Sequence, residues 1–290
     1  MKERAGYILL YAGIMSIAWL PLWILYGLSE GLYVWIRYVL RYRRKVVRDN
    51  LTASFPNMSE KERLRIEKAF YHHFADYIVE VVKLAYIGKE EIQRRAKLNN
   101  PEVVNGLFEA GHTCVVLLMV HYGNWEWFSA SQELLEGETY QIYKPLHNRA
   151  MDRLFIKLRE RFGSYGMKRN DVFRDMVRIK QKGQRAVVIF LADQRPALAN
   201  VHYRTSFLNR DTSMLTGAER IARKLGFPVV FLDTRKVKRG YYTVNFELLT
   251  DKPCEMPENW ITEQYARRAE ACIRRDPAYW LWSHKRWKYV

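Results

Sequence analysis

The alternation of short apolar runs with helical patterns after residue 100 constrains the fold of this chain most strongly. The apolar runs have the length of β-strands, and the segments between them place apolar residues at helical spacing. This order predicts an α/β fold with a mixed, largely parallel sheet flanked by helices. The predicted strands are residues 113–120, 140–143, 186–193, 228–233 and 241–249, and the predicted helices are residues 125–136, 149–162, 170–182, 214–225 and 258–275.

A long helical pattern precedes this part of the chain. Ser59 and Glu62 have the spacing of a capping box, and apolar residues then recur at helical intervals to about residue 84. We predict one long amphipathic helix or a helix pair here. The adjacent His72 and His73 are predicted to be ordinary helix positions, because no second cluster of metal-ligating residues complements them.

The amino-terminal segment from Tyr7 to Gly27 contains no charged residue. At about 1.5 Å per residue, a helix of this length spans about 30 Å, the thickness of the hydrocarbon core of a bilayer. We therefore predict a membrane-anchoring helix, kinked at Pro21, within residues 1–40, followed by a separate domain over residues 41–290. A buried core helix is the alternative.

Charge supports a membrane partner. Lys+Arg 48 minus Asp+Glu 31 gives a net charge of +17, and the chain has nine Trp. Basic residues follow the apolar segment, whereas only Lys2 and Arg4 precede it. This asymmetry predicts the inner (cytoplasmic) membrane, with residues 41–290 on the cytoplasmic side, against anionic headgroups. No nucleic-acid-binding motif is present, so nucleic acid is not an expected partner. The basic residues are Arg37, Arg41, Arg43, Arg44, Lys45 and Arg48.

The most informative position is His121, which ends the first apolar run of the predicted sheet. Gly123 permits a tight turn, and Asn124 is suited to cap the helix that follows. Open α/β sheets place their sites at such strand ends, where His121 and Glu126 can converge. A histidine can then act as general base, and we expect the Glu126 carboxylate to hold the far ring nitrogen. A satisfied core histidine is the alternative.

No enzyme nucleophile accompanies this pair. The one Gly-x-Ser-x-Gly spacing, at residues 27–31, lies in the apolar amino-terminal stretch and not at a strand-to-helix elbow, and Cys114, Cys254 and Cys272 have neither a reactive context nor the spacing of metal ligands. We expect a reduced, intracellular protein without metal or cofactor. A His–carboxylate pair without a nucleophile suits direct transfer, in which the base activates an alcohol of the acceptor itself.

The segment HYGNWEW, residues 121–127, resembles the His-x4-Glu box of the lysophospholipid acyltransferase superfamily. More narrowly, it is similar to the late (lauroyl and myristoyl) acyltransferases of bacterial lipid A biosynthesis, and the likeness extends over nearly the whole chain. The other segments that carry it are RRKVVRDNLTASFPNMSEKE (43–62), IYKPLHN (142–148), LADQRP (191–196), TSMLTGAERIARKLGFPVVFLDTR (212–235) and IRRDPAYWLWSHKRWK (273–288).

The resemblance implies that residues 41–290 form an acyltransferase domain. It implies transfer of an acyl chain from acyl carrier protein, or from acyl-CoA, to a hydroxyl group of a membrane lipid such as a lipid A precursor. In this reaction His121 takes the hydroxyl proton and Glu126 supports it. Other acceptors (an amino-acid lipid, a mannoside or a lysophospholipid) and a non-catalytic, membrane-anchored lipid-binding protein remain alternatives.

The resemblance also implies substrate-binding residues. Asp193 and Arg195 are expected to line the site, although Asp193 could instead cap a loop. Lys144, where the family usually has arginine, is expected to bind an oxygen of the substrate as a point charge. Arg235 is expected to bind an acceptor phosphate or to pair with an acid, and Asn124 is a further substrate-binding candidate.

Two segments leave alternatives open. Residues 207–213 depart from the family pattern and are expected to contact lipid or acyl chain, so the acceptor can differ. The carboxy-terminal aromatic residues are predicted to form either a membrane-interface patch with their basic neighbours or a buried aromatic lid. These residues are Trp280, Trp282 and Trp287, with Lys285, Arg286 and Lys288.

Overall fold

The computed structural model describes residues 2–128 and 134–288. Its centre is a seven-stranded sheet in the order β1-β9-β8-β2-β5-β3-β4, and β6 and β7 form a separate pair. The strands are β1 (Ala96–Leu98), β2 (Cys114–Met119), β3 (Glu138–Tyr143), β4 (Ser164–Lys168), β5 (Ala186–Leu191), β6 (Arg204–Phe207), β7 (Arg210–Ser213), β8 (Val229–Lys238) and β9 (Tyr241–Thr250).

The sheet is mixed and largely parallel, as the sequence predicted. Neighbouring strands from β8 through β2, β5 and β3 to β4 are all parallel. The strand β9 runs antiparallel to β8, and β1 pairs parallel with β9. A hairpin turn at Arg239 and Gly240 joins β8 to β9, and Gly240 has the positive φ that favours glycine.

Helices cover the sheet. The helices are α1 (Lys2–Ala18), α2 (Leu22–Val34), α3 (Arg44–Ser54), α4 (Glu60–Lys83), α5 (Lys89–Arg95), α6 (Glu102–Glu109), α7 (Trp125–Phe128), α8 (Arg149–Glu160), α9 (Val172–Lys182), α10 (Gly217–Leu225) and α11 (Trp260–Arg275). The helix predicted over residues 125–136 begins at Trp125 as expected, but residues 129–133 of it lie outside the described residues.

The core explains why β2 reads as an unbroken apolar run. All six residues of β2 are buried, and alternate side chains point to opposite faces of the sheet. Val116 and Leu118 join one hydrophobic cluster, whereas Val115 and Leu117 join the other. Apolar and polar residues do not alternate in a strand that is covered on both faces. The unbroken apolar run was therefore enough to identify β2 in the sequence.

The long amphipathic helix is confirmed as α4, and Ser59 and Glu62 form its capping box. His73 is buried and hydrogen-bonded to the carbonyl of Gly123, whereas His72 pairs with Glu30. Both histidines of the doublet therefore belong to ordinary helix packing, as predicted.

The amino terminus differs from the prediction of one continuous anchoring helix. The chain breaks between α1 and α2, and residues Gly6–Ala18 and Leu22–Val39 form a pair bent by 113°. Pro21 has no N–H to continue a helix, which explains the break. Among the described residues no single helix is long and apolar enough to cross a membrane. The two helices of the bent pair meet the criteria of length and composition only when they are taken together.

One side of α2 packs against α4 through polar contacts. Tyr26 donates a hydrogen bond to Glu80, and Ser29 donates one to Asp76. The opposite side and the π-helical turn Trp35–Val39 expose large apolar side chains. We call these residues the amino-terminal apolar face: Trp19, Trp23, Leu28, Val34, Trp35, Tyr38, Val39, Leu40 and Tyr42.

Part of the basic stretch after α2 is used within the protein. Arg37, Arg44 and Arg48 all form ion pairs with the buried carboxylate of Glu67. Arg37 is itself buried. Arg44 and Arg48 therefore link α3 to α4, and Arg37 links the π-helical turn to α4, in contrast to the expectation that the whole stretch lies against headgroups.

Candidate active site

The fold brings the expected site residues to one edge of the sheet. His121 follows β2, Asp193 follows β5, Lys144 follows β3, and Arg235 lies late in β8. These four strands are adjacent in the order β8-β2-β5-β3 and are parallel to one another. Because the carboxyl ends of parallel strands meet at one edge, residues far apart in sequence come together there.

The centre of this edge is a histidine–aspartate pair. The Nδ1 atom of His121 lies 2.7 Å from Oδ1 of Asp193, and the backbone N–H of His121 donates to Oδ2 of Asp193 at 3.2 Å. The two residues follow strands paired in register from Cys114 with Ala186 to Met119 with Leu191. The strand register therefore fixes the pair.

A third donor completes the environment of Asp193. The indole N–H of Trp280 donates to Oδ2 of Asp193 at 2.7 Å. Burial alone would raise the pKa of Asp193, but the charge of His121 and the hydrogen bonds from His121 and Trp280 outweigh burial and lower this pKa. Asp193 is therefore an ionised, buried carboxylate that orients the His121 ring.

The other ring nitrogen of His121, Nε2, lies next to Gln194. Since an ionised carboxylate only accepts hydrogen bonds, Nδ1 carries the proton and Nε2 presents a lone pair. The side-chain amide of Gln194 lies 3.3 Å from Nε2, and the Trp125 ring packs edge-on with centroids 5.1 Å apart. The His121 side chain is 14% exposed, so Nε2 is available to take a proton.

Glu126 does not make the contact with His121 that the sequence suggested. Its carboxylate accepts two hydrogen bonds from Arg159, at 3.0 Å and 2.7 Å. Glu126 lies on the first turn of α7 with its carboxylate directed at α8, whereas Asp193 follows the strand next to β2. The carboxylate at Nδ1 of His121 is thus that of Asp193, and the role of Glu126 in catalysis stays a prediction.

The carboxy-terminal segment frames His121. The backbone N–H of Leu281 donates to the carbonyl of His121, and the N–H of Gly123 donates to the carbonyl of Tyr279. Trp280, Trp282 and Trp287 are buried. Of the two alternatives for this segment, the structure shows the buried aromatic lid. Arg286 is buried too, and burial lowers its pKa to about 10.

Asn124 is an N-cap, as the turn pattern predicted. Its Oδ1 accepts the backbone N–H of Trp127, and its Nδ2 donates to Glu80 at 2.7 Å. The Asn124 side chain is fully buried. Both of its polar atoms are engaged inside the protein, and a role of Asn124 in substrate binding stays a prediction.

Three cations remain near the site edge. Lys144 is exposed directly after β3, and Arg195 is half-buried two residues after Asp193. Arg235 is exposed and pairs with Asp233 at 3.2 Å, which is the second of its two predicted roles. Lys144 and Arg195 thus stay candidates for binding substrate oxygens.

The segment at residues 207–213 is a β-hairpin rather than an open loop. Leu208 and Asn209 form the turn between β6 and β7, and both have positive φ. Phe207 and Leu208 are buried in the core. Their side chains therefore pack within the protein, and contact of this segment with lipid or acyl chain stays a prediction.

The cysteines have no nucleophilic environment. Cys114 and Cys272 are buried, and burial raises the pKa of both thiols, to about 12 for Cys272. Cys254 is exposed and free. Among residues 2–128 and 134–288, no group of three or more His, Cys, Asp or Glu side chains is placed to hold a metal ion.

Sequence reasoning missed two residues that hold the site. Trp280 was identified only as part of an aromatic patch, and Glu80 was not identified at all. Trp280 bonds Asp193, and Glu80 accepts hydrogen bonds from Asn124, Tyr242 and Tyr26. In the sequence, Glu80 stands out only as an acidic residue within an otherwise apolar stretch of α4.

The sequence places the chain in a known family. The sequence model of the family described as bacterial lipid A biosynthesis acyltransferase matches residues 1–289. The chain is also 24% identical over 291 aligned residues to the lipid A biosynthesis lauroyltransferase of Escherichia coli (strain K12), covering 97% of this chain and 92% of that protein.

Proposed function

Since the chain belongs to the bacterial lipid A biosynthesis acyltransferase family, we propose that it transfers a fatty acyl chain from a thioester to a hydroxyl group of a lipid A precursor. The observation that carries this proposal is the His121–Asp193 pair at adjacent strand ends, with Nε2 of His121 next to Gln194. No protein nucleophile is needed, because the acceptor supplies its own oxygen.

The reaction proceeds by general base catalysis. Nε2 of His121 takes the proton of the acceptor hydroxyl as its oxygen attacks the thioester carbonyl carbon. The tetrahedral intermediate collapses, the carbon–sulfur bond breaks, and the imidazolium returns the proton to the departing thiolate. An ester and a free thiol result, so atoms and charge balance.

Asp193 stabilises the imidazolium formed in this step. It is already ionised and hydrogen-bonded to Nδ1, so no group has to move when the charge develops. Gln194 at 3.3 Å from Nε2 holds the position that the acceptor hydroxyl takes. Glu126 acts with Arg159 to fix α7 against α8, and thereby the loop that carries His121.

Lys144 and Arg195 bind oxygens of the donor or acceptor, and Lys144 or backbone N–H groups stabilise the oxyanion. Lys144→Ala should lose activity strongly, and Lys144→Arg should keep a substantial part because the charge is preserved. The measurement is the initial rate with a thioester donor and extracted lipid acceptor. A wild-type rate for Lys144→Ala would make Lys144 an ordinary surface residue.

The donor is an acyl thioester, with acyl carrier protein favoured over acyl-CoA because the net charge of +17 suits an acidic protein. The amino-terminal apolar face, rich in tryptophan, binds the cytoplasmic membrane from the cytoplasmic side. The distinguishing experiment is extraction of membranes: release by detergent and not by salt supports this attachment, whereas release by salt alone argues against it.

The central test is His121→Ala. We expect purified enzyme to lose about 10²–10⁴-fold in rate, because a general base contributes that much, with an unchanged circular dichroism spectrum. The matched control is His72→Ala, which removes a histidine of α4 that pairs only on the surface with Glu30 and Asp76. Wild-type protein that binds lipid but transfers no acyl chain would establish the alternative, a lipid-binding protein.

A further inference from the structure

A cationic pocket lies where the chain bends from α1 into α2. Its volume is about 450 Å³. Its walls are the start of α2, the last residue of α4, the end of α5 and the hairpin between β8 and β9. Trp23, on the α2 wall, also belongs to the amino-terminal apolar face and is 74% exposed. The pocket therefore borders the surface that is proposed to bind the membrane.

The lining of this pocket carries more positive than negative charge. It contains three cations, Lys83, Arg95 and Arg239, and one carboxylate, that of Glu91. Arg239 forms ion pairs with one carboxylate of α2 and one of α4, and Arg95 pairs with Glu91 at 3.0 Å. The charge that these pairs leave uncompensated is that of Lys83.

Lys83 is a buried cation without an ion pair. It is 5% exposed, and its ammonium group donates to the carbonyls of Ala18 at 2.9 Å and Leu20 at 2.8 Å. These carbonyls follow the last turn of α1 and carry only partial negative charge. Within residues 2–128 and 134–288 no carboxylate pairs with Lys83, and burial lowers its pKa. Since an ammonium group has three N–H donors, one donor remains for an anionic ligand.

Arg95 adds donors to the same pocket. Its Nε donates to Glu91 at 3.0 Å, and its Nη1 lies 3.4 Å from the carbonyl of Gly240. The guanidinium lies over the Tyr241 ring, 4.7 Å from the centroid, which fixes its orientation. In the part of the chain that the structure describes, Nη2 of Arg95 makes no hydrogen bond. Lys83 and Arg95 thus present N–H groups to one space from two different helices.

A phosphate group fits this chemistry. Its oxygens accept hydrogen bonds from lysine and arginine together, and its negative charge offsets the buried charge of Lys83. The wall of Leu22 and Trp23 offers no charge to the rest of a soluble phosphate ester, but it suits the hydrocarbon part of a lipid. Tryptophan concentrates at the level of lipid headgroups, and basic pockets between helices at the cytoplasmic surface bind anionic headgroups.

We propose that this pocket binds the phosphate group of an anionic glycerophospholipid, with Lys83 and Arg95 donating to its oxygens and its acyl chains lying against Trp23. The lipid is neither donor nor acceptor of the acyl chain. It is a bound membrane component that holds the bend between α1 and α2 at the level of the headgroups. The proposal goes beyond acyl transfer and shares with the proposed function only the membrane attachment, so His121→Ala should bind the lipid like wild type.

Native mass spectrometry of the full chain counts the lipids that stay bound. The protein is released from detergent micelles that contain phosphatidylglycerol or phosphatidylcholine with the same acyl chains. We expect one phosphatidylglycerol molecule to be retained and phosphatidylcholine to be lost, because the choline group cancels the charge of its phosphate. A single retained lipid distinguishes this pocket from diffuse attraction by the net charge of +17, which would retain a variable number.

Single substitutions test the two donors. Lys83→Met and Arg95→Gln each remove one charge and should weaken phosphatidylglycerol binding about tenfold to hundredfold, the range expected for a charge-assisted hydrogen bond. The matched control is Arg174→Gln, which removes one charge from α9, outside the pocket. Circular dichroism checks that each variant is folded. Because Lys83 also binds the end of α1, Arg95→Gln tests the proposal even if Lys83→Met does not fold.

Competition identifies the source of the phosphate. Inorganic phosphate in excess should leave phosphatidylglycerol bound, and extracted lipid acceptor in excess should bind in addition to it. Displacement by inorganic phosphate would make the pocket a site for a soluble anion, and displacement by the acceptor would make it part of the substrate site. Either result overturns the proposal. It is overturned equally if Arg95→Gln retains phosphatidylglycerol like Arg174→Gln, or if phosphatidylcholine is retained to the same extent.

Discussion

Two buried carboxylates hold the loop of His121 to Asn124 from opposite sides, and they are built differently. Asp193 approaches from β5 and binds the side chain and the backbone of His121. Glu80 approaches from α4 and accepts hydrogen bonds from Asn124 and Tyr242 at 2.7 Å and 2.8 Å. Both carboxylates are almost fully buried, yet only Asp193 contacts His121, the proposed general base.

Their pKa values move in opposite directions. Burial raises the pKa of Glu80, and the hydrogen bonds from Asn124 and Tyr242 together with the charge of Lys236 only partly offset this effect. At Asp193 the charge of His121 and the hydrogen bonds overcome burial and lower the pKa. The comparison teaches that burial alone does not identify a carboxylate with a lowered pKa. The charges and hydrogen bonds of its partners determine the direction of the pKa shift. Asp193 is set to stabilise a cation, whereas Glu80 is set to hold a loop in place.

The largest effect is expected at Asp193. Asp193→Asn should lower kcat about 10²–10⁴-fold, because the amide neither stabilises an imidazolium nor favours the correct tautomer. The measurement is steady-state kinetics with a thioester donor. The matched control is Glu219→Gln, a buried carboxylate that accepts hydrogen bonds from Thr262. Equal losses in the two variants would remove the distinction between Asp193 and other buried acids.

An effect of intermediate size is expected at Glu126, because its partner Arg159 carries a permanent charge. The two side chains are 5% and 17% exposed. Glu126→Ala should reduce the free energy of unfolding by about 3–5 kcal/mol, since it leaves a buried guanidinium without its carboxylate. Adding Arg159→Met should recover part of the loss, as measured by chemical denaturation. A single variant as stable as wild type would show that the pair contributes little.

A smaller effect is expected at Glu80. Glu80→Gln should keep kcat within about tenfold of wild type, because the amide oxygen accepts from Asn124 and Tyr242 and a neutral group suits a site that raises the pKa. Glu80→Ala should lose about 1–3 kcal/mol of stability for each buried donor left unsatisfied. Kinetics and denaturation of both variants test this. A Glu80→Gln variant as inactive as Asp193→Asn would contradict the proposed difference.

The smallest effect is expected in the pH dependence of stability. It arises from His73, which contacts the same loop as Glu80. His73 donates to the carbonyl of Gly123 and accepts from Lys236. Its pKa is lowered by burial, so below about pH 6.5 the unfolded chain binds a proton that the folded protein does not. The free energy of unfolding should therefore fall as pH drops, by up to about 1.4 kcal/mol per pH unit.

Replacement of this histidine isolates its contribution. His73→Gln should flatten the slope of unfolding free energy against pH, and the exposed neighbour His72→Gln serves as the control. Chemical denaturation at several pH values gives the slopes. Identical slopes in wild type and His73→Gln would mean that other groups carry the pH dependence.

Local sequence was sufficient for the strands and for the turn that carries His121. The run from Cys114 to Val120 had to be a buried strand because nothing in it is polar, and Asn124 had to cap a helix because its side chain accepts an N–H from the following turn. Short or polar strands such as β1 and β4 were not predicted, since three to five residues carry too little periodicity.

Two sets of long-range contacts could not be predicted from the sequence. The uncharged segment of residues 7–27 has the composition of one spanning helix, but the bend at Pro21 and the hydrogen bonds from α2 to Glu80 and Asp76 set its geometry. Likewise, Trp280 donates a hydrogen bond to Asp193, 87 residues earlier. Neither contact leaves a local pattern.

The sequence by itself determined the α/β fold and the family, and it predicted the position of the candidate catalytic histidine, because local periodicity and short motifs carry this information. The tertiary structure alone decided which carboxylate serves His121. Glu126 is near in sequence, but its helix directs it to Arg159, whereas Asp193 is far in sequence and ends the strand that lies next to β2. Strand order is set by packing of the whole sheet, so no segment read alone contains it.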